Sequence, residues 1–397
     1  MKTSWLVAAL ALLALVGCST SKGPSASAPR VGSPSPAALN PAESKAADFR
    51  TRLDLLLGEH VIAIAKESSA AGRDEYASYL HLLTSNGTDL TELVRSALGD
   101  SEATSFDQIW TTQNDNLVNY TIGLVTHNKS KSDGAMSNLI RRFVPQFSQF
   151  IAAAAAVPLD PITQLATQHL FETKALIDDQ FAHSFTRSYA DLRIVYAQAA
   201  RIGDALAPRI AQRFPDKFPG NPLSKAVDVR VLMNNLLQEH AYLATMATSA
   251  ALGGRTAEQA AAARALGDNT GELGTLLGSL FGQAVAIRAE QILASEDAAT
   301  FAYAASSTGA AKQTALGQLT DVFVTQFSGL VHDATGLAPS TIRPALQSQV
   351  ETMVTVLDEQ RSKASAGLGA DDRAASASMQ SVADLIAIAA VARLRLP

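Results

Sequence analysis

The stretch from Leu53 to Ile64, LDLLLGEHVIAI, returns about 180 residues later as Met233 to Leu243, MNNLLQEHAYL. An echo at that distance restricts the chain to an architecture built twice. Leu53, Leu56, Leu57, His60 and Ile64 recur at spacings of three and four, which places them on one face of an amphipathic helix. Met233, Leu236, Leu237, His240 and Leu243 repeat that face in the second copy. Each histidine lies inside the apolar stripe. Glu59, rotated about 100° from it, is expected to look toward solvent or a neighbouring helix.

The rest of the chain follows the same duplication, at offsets between 178 and 183 residues. Asn269 to Leu273 overlays Asn86 to Leu90, and Tyr303 falls on Tyr120. The segment from Phe323 to Phe327 falls on Phe143 to Phe147, and Pro339 on Pro161. Alanine-rich segments, 6% aromatics and the lack of alternating β-branched runs argue for an all-α fold. In the first copy, helices are expected at about 49–71, 74–98, 102–127, from the polar run 128–133 to 155, 161–182 and 184–213. Gly72 is a suitable left-handed stop, and Asp160-Pro161 a suitable start. The expected organisation is two tandem antiparallel helical bundles of about six helices each, at 47–219 and 222–397, after a disordered tether. The proline-rich segment from Phe214 to Pro222 joins them.

At the start, Lys2 precedes an apolar run from Trp5 to Val16, too short to span a bilayer and suited to a signal peptide. It ends in Leu15-Val16-Gly17-Cys18, which resembles the bacterial lipobox. That resemblance implies cleavage after residue 17 and diacylation of Cys18, the only cysteine of the chain. Residues 18–46, rich in Ser, Pro, Ala and Gly, read as the tether, because they hold too little apolar surface to offset ordering entropy. The expected location is extracytoplasmic, at the cell membrane or elsewhere in the envelope, with the membrane as partner through the lipid. The formal charge of −5 carries no basic cluster of the kind nucleic acid requires.

Leu56-Leu57-Gly58-Glu59-His60, Asn86 to Leu90, Ile109 to Gln113, Val118 to Thr121 and Phe214 to Phe218 together resemble an uncharacterised family of secreted or lipid-anchored bacterial proteins with tandem all-helical repeats. The likeness runs over residues 50–395 and implies a fold and a location but no activity. The chain departs from the family pattern where a histidine is expected, at Gln113 and at Glu296.

Polar residues on the apolar stripes are the candidate site. A hairpin about Gly72 sets His60 opposite Asn86, and one about Gly254 sets His240 opposite Asn269. One reading is two core pairs, His60 with Asn86 and His240 with Asn269, because an unpaired buried polar group costs a few kcal/mol. The other is a site for copper, iron or zinc inside a bundle, from His60 and His169 with their neighbours in the first copy or from His240 with Glu296 in the second, since imidazole with carboxylate suits those ions. His81, His127, His183 and His332 read as surface residues. Nucleophile elbows, His-Glu-x-x-His and phosphate loops following a strand are missing, so no enzyme is expected. The expected function is a non-catalytic binding or structural module with no cofactor, its partner an envelope protein or small ligand. The alternative is a metal-binding lipoprotein.

Overall fold

The computed structural model describes residues 40–397. Among them the fold is all-α, with fourteen α-helices and no strand. In the first half these are α1 (Lys45–Ala70), α2 (Tyr76–Leu98), α3 (Asp100–Val125), α4 (Lys129–Asn138), α5 (Val144–Ala155), α6 (Leu159–Phe181) and α7 (Phe185–Arg213). The second half follows the same order with α8 (Lys225–Leu252), α9 (Thr256–Phe281), α10 (Gln283–Ala305), α11 (Gly309–Gly317), α12 (Val324–Thr335), α13 (Pro339–Ser362) and α14 (Leu368–Leu394). A π-helical turn, Leu139–Phe143, welds α4 to α5 into one rod, and Gln318–Phe323 does the same for α11 and α12. Pro145 follows the first turn, but Thr325 stands at the matching place in the second, so proline is not the common cause. Both turns bring a phenylalanine pair into the core. Phe143 stacks on Phe147 at 5.3 Å and Phe323 on Phe327 at 5.5 Å.

The chain enters the fold earlier than its composition suggests. Asn40 donates its side-chain amide to the Ile388 carbonyl, Pro41–Glu43 form a 3₁₀ turn, and Ala42 is buried against Ala226 and Val391. The reason is specific contact, which composition does not register. Residues 40–46, expected in the tether, are therefore part of the fold. Cys18 and the segment around it lie outside the described residues.

The described residues form one compact unit, and a single apolar core runs through both halves. Its centre is the pair α1 and α8. Twenty-two of the 26 residues of α1 and 22 of the 28 of α8 are buried, so each is covered on every side. Each is capped by a serine, Ser44 Oγ accepting from Ala47 N and Ser224 Oγ from Val227 N. Gly58 lets α7 approach, since a Cβ there would stand 2.7 Å from the Tyr196 ring.

Two arginines, 180 residues apart in sequence, tie the halves by the same contact made twice. Arg50 on α1 reaches Asp204 on α7 at 2.8 Å, Asp228 on α8 at 2.6 Å and the Pro222 carbonyl at 2.7 Å. Arg230 on α8 reaches Asp384 on α14 at 2.8 Å, Asp48 on α1 at 2.6 Å and the Ala42 carbonyl at 2.7 Å. Both guanidiniums are mostly buried and fully engaged, which is the condition under which a buried charge is tolerated.

Candidate functional site

The Glu-His pair sits at the middle of each central helix, and its glutamate does not face solvent. Glu59 and Glu239 are both buried, because α1 and α8 have no outer face. Glu59 accepts from Arg373 at 2.8 and 3.1 Å, from Tyr242 at 3.0 Å and from the Asn86 amide at 2.9 Å. Glu239 accepts from Arg193 at 3.0 and 3.1 Å and from the Asn269 amide at 2.8 Å. Both arginines come from the opposite half, Arg373 on α14 and Arg193 on α7. Each also reaches a second carboxylate at 2.8 Å, Asp89 and Glu272 respectively.

Asn86 therefore spends its amide on Glu59 and on the Leu56 carbonyl at 2.9 Å, and the His60–Asn86 hydrogen bond expected from the hairpin is not made. Neither ring nitrogen of His60 has a partner, nor has Asn86 Oδ1. A buried carboxylate is the stronger acceptor, and the helix-wide burial brings it within reach. In the second half the expected pair does form. Asn269 donates to Glu239 and to the Leu236 carbonyl at 3.0 Å, while its Oδ1 lies 3.1 Å from His240 Nδ1.

The two histidines live in opposite environments. His60 packs against Trp110, ring centroids 4.5 Å apart, beside a cavity of about 20 Å³ that Gln113 and His169 also line. Burial, and then the neighbouring His169, push the His60 imidazole down to about 3. Burial likewise lowers His169 to about 4, with Gln198 opposing. Both rings are neutral at pH 7. His240, by contrast, meets Glu296 Oε2 at 3.2 Å and Asp297 Oδ1 at 3.3 Å through its Nε2. Burial disfavours its charge, but Asp297 and then Glu296 outweigh that and hold it well above the ordinary imidazole value. Burial raises the Glu296 carboxyl, with His240 opposing.

The predicted residues thus separate into two groups. His60, His169 and Gln113 converge in the first half, and His240, Glu296 and Asn269 converge in the second. His81, His127, His183 and His332 are exposed. Two members of the second cluster escaped the sequence reading, Asp297 and Gln349. Gln349 is buried on α13 with its side chain against Glu296, and its amide oxygen has no hydrogen-bond partner. Both were within reach of the overlay, which sets Glu296-Asp297 on Gln113-Asn114 and Gln349 on His169. Chemically, the first site is a neutral, mostly apolar niche, large enough for one water. The second, with one imidazole and two carboxylates within 4.8 Å, is able to hold a cation.

Outside the core, a groove of about 740 Å³ runs beside α7 and α8, within the size range of ligand clefts. Arg193, Arg201, Glu239 and Glu272 line it with the half-exposed apolar side chains Ile194 and Leu232. No family model, curated protein or solved structure matches this chain.

Proposed function

We propose that this is a lipid-anchored, extracytoplasmic helical module of a bacterial cell envelope, non-catalytic, which binds a partner protein or small ligand. The observation that carries the reading is the order of its parts. An apolar run ending in Leu15-Val16-Gly17-Cys18 comes first, a Ser/Pro-rich segment follows, and the helical body described from Asn40 onward comes after it. Acylation of Cys18 would hold the body at a membrane without a spanning segment. Among the described residues one helix, Leu368–Leu394, is long and apolar enough to cross a bilayer. It is packed on α8 and α13, and its Asp372, Arg373 and Asp384 are committed to pairs inside the fold. The α7/α8 groove, lined by both charged and apolar side chains, is a surface suited to a ligand.

The test is growth with an alkyne-tagged fatty acid, followed by fractionation. The wild-type protein is expected to carry the label and sediment with membranes. Cys18→Ser should lose the label and enter the soluble fraction. An unlabelled wild-type protein in the soluble fraction would sink the anchoring.

A further inference from the structure

We propose that the second half holds a single divalent transition-metal ion of the zinc type, bound by His240 Nε2, Glu296 Oε2 and Asp297 Oδ1, with Gln349 closing the fourth position. This goes beyond the function proposed above, which needs no metal.

Ligand spacing is the first argument. Zinc bonds of about 2.0–2.1 Å in a tetrahedron set neighbouring ligand atoms roughly 3.3–3.4 Å apart. His240 Nε2 stands 3.2 Å from Glu296 Oε2 and 3.3 Å from Asp297 Oδ1. All three donor atoms lie within 4.8 Å of one another, close enough to converge on a single ion. Three helices already bring the donors together, α8 supplying the imidazole and α10 both carboxylates, while α13 carries Gln349.

The atoms left without partners are the second argument. Asp297 Oδ1 has only the long 3.3 Å contact with the His240 ring, and Gln349, 1% exposed with its side chain against Glu296, leaves its amide oxygen without a partner. A buried amide oxygen with no donor costs stability unless something else occupies it. An ion coordinated by its Oε1 would do so.

Outer contacts supply the third. A metal-bound histidine characteristically gives its other ring N–H to a carbonyl or carboxylate, which fixes the tautomer and aims the ring. His240 Nδ1 has that partner in Asn269 Oδ1 at 3.1 Å, and Asn269 is held in turn by Glu239 and the Leu236 carbonyl. Thr270 Oγ1 donates to Asp297 Oδ2 at 3.3 Å, leaving the other oxygen for the ion. Binding would displace the Nε2 proton, leaving a neutral imidazole and two carboxylates whose two negative charges complement a dication. The imidazole excludes calcium and magnesium, which take oxygen alone.

The first half is an internal contrast. Its residues at the corresponding positions, His60, Gln113, Asn114 and His169, contain no carboxylate, and Trp110 covers the His60 ring. One ion per chain is expected, not two.

The experiment uses the full-length protein, purified without a histidine tag, stripped with chelator and titrated with zinc chloride in a calorimeter. One zinc per chain is expected, with no competition from magnesium or calcium. E296Q together with D297N installs the amides the first half carries, and it should bind at least about 100-fold more weakly. Asn269→Ala, acting through the ring, should lose about tenfold. Gln113→Ala, in the first half, should bind as the wild type does. X-ray absorption of the zinc-loaded wild type, which requires no variant to fold, should show a light-atom N/O shell at about 2.0–2.1 Å. A wild-type protein that takes up no zinc would overturn the proposal, as would unchanged affinity in the folded E296Q/D297N variant. In either case the cluster is a closed ion pair only.

Discussion

Asp54 is wholly buried, and neither of its carboxylate oxygens has a hydrogen-bond partner. Burial, followed by the nearby Asp204, raises its pKa well above the ordinary carboxyl value. Its counterpart in the second half is Asn234, whose amide donates to Asp384 at 2.8 Å and to the Arg230 carbonyl at 2.9 Å. Asp384 corresponds to Asp204, so the second half shows a donor where the first has an acid. A protonated Asp54 can donate to Asp204 in the same way, which accounts for a carboxyl at that place. Because the folded pKa is raised, the stability it supports is fully present below the unfolded carboxyl's pKa. It is lost as pH rises through the folded value. Asp54→Asn supplies the donor at every pH. It should stabilise the protein by about 1–2 kcal/mol at pH 8 and have little effect near pH 4. Thermal unfolding of both proteins at the two pH values reads this directly, and a variant less stable than wild type at pH 8 would refute it.

The seams between helices repeat imperfectly. Where α1 meets α14, Lys66 Nζ donates to Asp372 at 2.6 Å and to Thr245 Oγ1 at 2.9 Å, and Tyr79 donates to the same Asp372 oxygen at 3.0 Å. At the matching seam of α8 with α7 the corresponding residues are Met246 and Leu192, both buried. One seam is ionic and its twin apolar. Lys66→Met alone leaves Asp372 charged and buried, and should cost about 3–5 kcal/mol. Lys66→Met with Asp372→Leu should recover most of that, ending within about 1–2 kcal/mol of wild type, the remainder being the stranded Tyr79 hydroxyl. Urea unfolding of the singles and the double decides it, and additive losses would show that the seam does not behave as a pair. Such asymmetry also marks where sequence reading stops. Periodicity located the helices to within a few residues, and the overlay located both histidine clusters. It did not foresee that α1 and α8 are enclosed on all sides, because a stripe of leucines defines one buried face and is silent about the others. The stripe alone leaves Glu59 facing either solvent or a neighbouring helix, and the hairpin count pairs Asn86 with His60 although the enclosed glutamate is the better acceptor. Lys66, an ordinary surface residue by type, gave no signal except that its counterpart is methionine.

The molecule as a whole is stitched across its middle. Arg50, Arg230, Arg193 and Arg373 each bond a carboxylate from the other half, and one apolar core serves both. Denaturant unfolding should accordingly be one cooperative transition. A protease site inserted in the exposed connector between Asp216 and Lys217 supplies a sharper test. After cleavage the two fragments should co-elute at the size of the uncut protein and separate only in denaturant. Fragments that part under native conditions would mean that the seam is weaker than its contacts suggest. Those contacts have a further implication. Arg50 with Asp228 and Arg230 with Asp48 form the pattern of an isologous interface, in which the same patch meets itself about an axis. A free-standing single half would present that patch unpaired, and two of them could close on each other. Joined in one chain, the second half is held permanently at high effective concentration, so association no longer depends on how much protein is present. Released from having to be identical, one half could fill its centre with neutral rings while the other gathered charge.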